Sequence, residues 1–116
     1  MCIMDFDKLN LDELDYGCGT FIRNFKNASD IDAIKKLFKH HHDRNKYHLV
    51  FYISFRTALN VLFNHYYEQG NMEYARLYNE LEKKAEDFIN FRLENWGHKG
   101  FSLENVEKYE RENIFC

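Results

Sequence analysis

The sequence predicts an all-α fold, a single compact bundle of about five helices over residues 1–116. A central apolar helix near 46–69 and a long amphipathic helix near 72–96 are its main elements. Three observations predict it. No proline occurs among 116 residues and only five glycines do, so the turn chemistry that a β-sandwich or barrel needs at short intervals is missing. Apolar residues recur at three- and four-residue spacing over long stretches, which is the period of a helix. The length suits one core that buries about two-thirds of the unfolded surface. A charged fraction of 30% and a net charge of −3 exclude disorder and broad polybasic nucleic-acid binding.

Each element has its own signals. Asn10-Leu11-Asp12-Glu13 offers an asparagine cap, acids at the positive helix end and Gly17 as a stop, so a short first helix is expected. Gly17-Cys18-Gly19 reads as a tight turn, and Thr20 is placed to cap a short segment presenting Phe21, Ile22 and Phe25. Ser29-Asp30-Ile31-Asp32 starts the next helix, with Ser29 as the cap and Lys35, Lys36 and Lys39 toward the negative end. Ile31, Ile34, Leu37, Phe38 and His41 share one stripe, giving an amphipathic helix over 30–43.

The apolar pattern resumes from Tyr47 to Tyr67. An unbroken helix over 30–69 would run about 60 Å, against a globule of about 35 Å, so a break is expected at Asp43-Arg44-Asn45. The segment 46–69 is apolar around most of its circumference, the mark of a helix surrounded by others. Its β-branched and aromatic residues at 47–55 would also suit a buried strand; the length of the pattern decides for helix. Gln69-Gly70-Asn71 punctuates the chain. Tyr74, Tyr78, Leu81, Ala85 and Phe88 then define the long helix, with Arg76/Glu80, Glu80/Lys84 and Lys83/Asp87 as i,i+4 pairs. Gly97-His98-Lys99-Gly100 makes the last turn, and Ser102 caps a final segment with Leu103 and Val106 inward and many charges outward.

From Leu62 to Tyr78 the chain resembles the turn of a tetratricopeptide repeat. Leu62, Tyr66, Gly70, Asn71 and Ala75 stand where that motif places a leucine, a tyrosine, the turn glycine, the turn acid or amide and the small packing residue. The resemblance implies a helical hairpin. It departs at Phe63, Asn79 and Glu82, and a step of one repeat either way lands on Lys36 and Glu104, so no array of repeats is expected.

Cys2, Cys18 and Cys116 are odd in number and scattered, which is no disulfide framework and fits a reducing, cytoplasmic setting. Met1 to Asp7 lacks a basic leader and an apolar run, so no signal peptide is expected, and no stretch is long and apolar enough for a membrane span.

Catalytic and metal signals are weak. His40-His41-His42, with Asp43 and His48, invites a metal reading, yet no histidine pair has the i,i+4 spacing that puts two ligands on one helix face. The expectation is two exposed histidines, His41 at the core edge, no metal and no cofactor. Arg44/His48 and Arg56/His65 miss the spacing of helical-bundle ribonucleases of the HEPN type. Cys18 lies between glycines with no partner base in sequence. No enzymatic activity is expected.

Charge is segmented: residues 5–15 carry net −4, residues 35–48 net +4, and residues 68–112 net −4. Lys35, Lys36, Lys39, His40, Arg44 and Lys46 are therefore the expected binding residues, on an outer face of helix 30–43 that could meet phosphates or simply be solvated beside the acidic N-terminal segment. The chain carries 11 Phe, 8 Tyr and one Trp, more than a bundle of this size hides, and surplus Tyr and Trp anchor protein interfaces. Asn, Lys, Phe, Tyr and Ile make up 48 of 116 residues, a bias toward A/T-rich codons. The expected function is a non-enzymatic module that binds a protein partner. An inhibitor or adaptor of phage or mobile-element type, for example one blocking a host defence nuclease, fits the small size and this bias, and a homodimer is possible through the apolar excess. The alternative is a regulator that contacts nucleic acid through the basic face.

Overall fold

Cys18-Gly19-Thr20, read as a turn and a cap, instead opens the first helix of the structure, a computed structural model that describes residues 18–94 and 103–115. The expected helix near residue 10 and the turn at 97–100 with its Ser102 cap lie outside the described residues, as do Cys2 and Cys116. Among the described residues the chain forms helices α1 (Cys18–Lys26), α2 (Ile31–Asn45), α3 (Leu49–Glu68), α4 (Met72–Glu94) and α5 (Leu103–Tyr109), the last running into a single wide π-helical turn at Glu110–Ile114. No strand occurs among these residues. The fold is the expected all-α bundle.

Local chemistry sets the ends. Asp30, one residue after the expected cap, closes the start of α2, its Oδ1 accepting from the Ala33 N–H at 2.8 Å. The helix runs through Asp43-Arg44-Asn45 and breaks at Lys46-Tyr47-His48. The break is displaced because its final carbonyl has a partner from far away: Nη1 of Arg92, on α4, donates to the Lys46 carbonyl at 2.6 Å. A cation at the negative end of a helix both fills an orphan acceptor and opposes the dipole.

The α3–α4 turn shows why the sequence places glycine there. Gly70 has φ +77°, its N–H donates to the Tyr67 carbonyl, and the Asn71 N–H donates to the Tyr66 carbonyl, which is the Schellman pattern. Asn71 Oδ1 then accepts from the Tyr74 N–H and caps α4. The resulting hairpin matches the one implied by the repeat-like turn, with Ala75 buried and Tyr66 stacked on Tyr78 at 5.5 Å. None of the i,i+4 pairs expected along α4 forms a salt bridge among the described residues; Glu82 reaches across to Arg56 (3.4 Å) and Asn60 (3.1 Å) on α3 instead. That ties the hairpin's two arms together.

The core is aromatic. Phe55 of α3 lies at its centre, within ring-contact distance of Phe21 and Phe25 from α1, Phe38 and His41 from α2, and Tyr52. Tyr52, Phe55, Leu59 and Leu62 repeat at three and four residues, so α3 buries one continuous face against α1, α2 and α4. Its other side is not enclosed: Val50, Phe51, Ile53 and Tyr67 are exposed. The helix expected to be surrounded by others is the central one, in contact with α1, α2 and α4, and its remaining side is open among the described residues. No helix among the described residues is long and apolar enough to cross a membrane.

Candidate functional site

The C-terminal helix and its π turn carry Val106, Glu110 and Ile114 at four-residue spacing, and all three are buried. Most charges of this segment face outward as expected, but Glu110 points into the core. It meets His42, which is also fully buried and was expected to be exposed. His42 follows Phe38 by four residues and so shares the inward stripe of α2. Of the three consecutive histidines only His40 is exposed.

The geometry around His42 is a closed polar chain. Its Nε2 lies 2.9 Å from Glu110 Oε2 and its Nδ1 lies 2.6 Å from the Tyr52 hydroxyl. Glu110 also accepts from the Lys46 ammonium at 3.2 and 3.3 Å. Burial pushes the His42 imidazole below its ordinary range, against the opposing pull of Glu110. The neutral ring therefore donates from Nε2 to the carboxylate and accepts at Nδ1 from the tyrosine O–H, an assignment made from the partners. Burial would lower the Lys46 ammonium, but the hydrogen bond and charge of Glu110 outweigh it and hold its pKa above the usual value. Burial drives the Tyr52 phenol well up. Every group is satisfied, so the network is a latch holding the C-terminal turn onto α2 and α3.

A ring nitrogen of His42, an Asp43 oxygen and a Glu110 oxygen lie within 4.8 Å of one another, the one set of metal-type ligands among the described residues. The Lys46 ammonium already sits 3.2 Å from Glu110 and 3.9 Å from Asp43. A cation of the protein's own stands where a metal ion would have to be. Cys18 is buried among Phe21, Ile22 and Phe25, and burial pushes its thiol up, away from the thiolate a nucleophile needs.

The six basic residues expected to bind separate into two groups. Lys35, Lys36, Lys39, His40 and Arg44 line the exposed side of α2. Among the described residues none of Lys35, Lys36, Lys39 and Arg44 forms a salt bridge with a carboxylate. Lys46 is drawn inward by Glu110 and leaves that face. Lys39 lies over the Phe115 ring, 4.7 Å from its centroid.

Directly after the basic face comes an apolar corner that the sequence did not single out. Tyr47 is 46% exposed, Val50 57%, Phe51 50% and Ile53 42%. The Tyr47 ring lies under the Lys46 ammonium at 5.5 Å and the Arg92 guanidinium at 5.9 Å, and Phe51 packs edge-on against the His48 ring. The latch and the Arg92 hydrogen bond thereby hold the corner in shape. The aromatic surplus noted in the composition was its only sequence signal.

The chain matches no protein-family model, no curated protein and no solved structure.

Proposed function

We propose that this chain is a non-enzymatic helical module that binds another protein. The observation that carries the reading is the exposure of Tyr47, Val50, Phe51 and Ile53 at the start of α3, beside the cationic side of α2. Protein interfaces join an apolar, aromatic centre to a polar rim, and Tyr with Arg are enriched where binding energy concentrates. The centre here is the corner. The rim is Arg44, His40, Lys39, Lys36 and Lys35. A role as a stoichiometric inhibitor or adaptor of phage or mobile-element type is supported by the codon bias and a cytoplasmic setting by the scattered cysteines, and self-association would use the same corner.

A second reading, nucleic-acid binding through the basic face, has support in Lys35, Lys36, Lys39 and Arg44, which form no salt bridge among the described residues. The inward turn of Lys46 and the net charge of −3 weigh against it.

The experiment is affinity capture paired with light-scattering mass at about 50 and 500 mM salt, comparing the native chain with Val50→Asp/Phe51→Asp and with Lys35→Glu/Lys36→Glu/Lys39→Glu/Arg44→Glu. A protein recovered by the native chain and lost with the corner variant is the expected result. A salt-sensitive complex with oligonucleotide, lost with the charge variant alone, moves the second reading to first place.

A further inference from the structure

Away from the corner, α2 and α4 part beneath the C-terminal turn and leave a cleft of about 280 Å³. Its floor is apolar: Phe38 of α2, Leu77 and Leu81 of α4, and Ile114 of the turn, all buried. Phe115, 42% exposed, forms one lip. The rim is basic on both walls, with Lys35 and Lys39 on α2 and Lys84 on α4. Glu80 is the one acid in the lining. The Lys84 ammonium donates to the Ile114 carbonyl at 3.4 Å and keeps further donors for a ligand.

Size and charge narrow the occupant. Small-molecule and cofactor sites usually occupy about 300–1,000 Å³, so this cleft, at about 280 Å³, lies just below that range and suits one large side chain. Ammonium groups on opposite walls suit carboxylates on both sides of that anchor. A nucleic-acid backbone would leave the apolar floor unfilled and would meet Glu80. The latch matters here as well, because Glu110 pins the turn that supplies Ile114 and Phe115.

We propose that the cleft docks an acidic peptide segment of the partner protein, with one large apolar side chain seated on Phe38, Leu77 and Leu81 and carboxylates flanking it on Lys35, Lys39 and Lys84. This rests on the protein-binding reading and adds to it the chemistry of the partner. The cleft shares Lys35 and Lys39 with the basic rim but none of its residues with the apolar centre at Tyr47, Val50, Phe51 and Ile53, so variants of that centre and variants of the cleft floor fail independently.

The test uses a fluorescently labelled hexapeptide, Glu-Glu-Trp-Leu-Glu-Glu, in an anisotropy titration against the full chain. Two control peptides replace the glutamates by glutamine, or the Trp-Leu pair by serines, and a labelled single-stranded oligonucleotide is the third probe. The acidic apolar peptide is expected to bind saturably, at least about tenfold tighter than either control. Lys35→Glu/Lys84→Glu should weaken it about tenfold while the melting temperature stays near that of the native chain, the equivalent of losing one to two charge-assisted contacts. Methyl resonances of Leu77, Leu81 and Ile114 should shift on binding, and those of Val50 and Ile53 should not. The proposal is overturned if the glutamine peptide binds as well, if the lysine variant binds unchanged, if the shifts fall at the corner, or if the oligonucleotide is the tighter ligand. No saturable binding, with partner capture still abolished by Val50→Asp/Phe51→Asp, overturns the cleft alone and leaves the protein-binding reading in place.

Discussion

His42 Nε2 and Glu110 Oε2, from residues 68 positions apart in the chain, meet at 2.9 Å inside the bundle. This contact and the Lys46 ammonium decide where the C-terminal turn lies. Glu110→Ala would leave the buried His42 N–H without its acceptor and remove the Lys46 hydrogen bonds, and stranding a buried donor costs about 1–3 kcal/mol. The expected outcome is a loss of about 1–3 kcal/mol in urea unfolding. Glu110→Gln, which keeps one oxygen to accept, should lose less.

Two buried tyrosines should respond with opposite sign. The Tyr52 hydroxyl bonds His42 at 2.6 Å, whereas the Tyr78 hydroxyl is buried with no hydrogen-bond partner among the described residues. Tyr52→Phe strands an imidazole nitrogen and should destabilise by about 1–3 kcal/mol. Tyr78→Phe removes an unsatisfied group and keeps the ring stacked on Tyr66, so stability should hold or rise by about 1 kcal/mol. Equal losses in the two variants would contradict the hydrogen-bond assignment.

Acid should unfold the protein through its histidines. Burial, with the nearby charges of His40 and Arg44, lowers His41 from 6.5 to about 4, and burial lowers His42 as well. Both would protonate near their ordinary pKa in the unfolded chain. Between about pH 6.5 and 4 the unfolded state binds more protons, so stability is full above this window and falls as the pH drops through it. The His41 contribution is up to about 3 kcal/mol at roughly 1.4 kcal/mol per pH unit. Melting temperature followed from pH 7 to 4 should decline, and His41→Leu should flatten the decline; a native curve with no slope there would refute it.

Gly70 tests the hairpin turn. With φ at +77° and no atom within 4 Å of an added Cβ, the only penalty for a side chain is the left-handed backbone. Gly70→Ala should cost about 1–2 kcal/mol and Gly70→Asn less, since asparagine tolerates that region. Urea midpoints at constant slope would measure both.

Zinc addition at neutral pH should leave the melting temperature unchanged, because the Lys46 ammonium occupies the space between Glu110 and Asp43. A rise of several degrees on equimolar zinc would mean that the ammonium is displaced and that a metal site forms.

How much of the site was legible can be read from single positions. The outward basic side of α2 follows from Lys35, Lys36, Lys39 and His40 lying off the Ile34–Phe38 stripe, and the structure places them there. His42 was legible in principle, since it continues that stripe from Phe38, and Glu110 sits midway between Val106 and Ile114 on an apolar row. A polar residue on an apolar stripe is ambiguous until its partner is seen. The apolar corner was hidden for the opposite reason: Val50, Phe51 and Ile53 have the composition of a core and only the packing shows that nothing among the described helices covers them.

The sequence by itself determined the all-α class, the α3–α4 hairpin with its Gly70 turn and the inward face of α2. These depend on spacing of three and four residues and on caps that bond within one turn, all local in the chain. Only the tertiary structure decided that α2 runs to Asn45 and breaks at Lys46, that Lys46 leaves the basic face, and that the C-terminal turn closes one side of the cleft. Each of those outcomes rests on a bond between residues 46 to 68 positions apart. In the bundle's interior such polar groups must be satisfied by whatever the packing brings within reach, and the linear pattern does not encode which group that is.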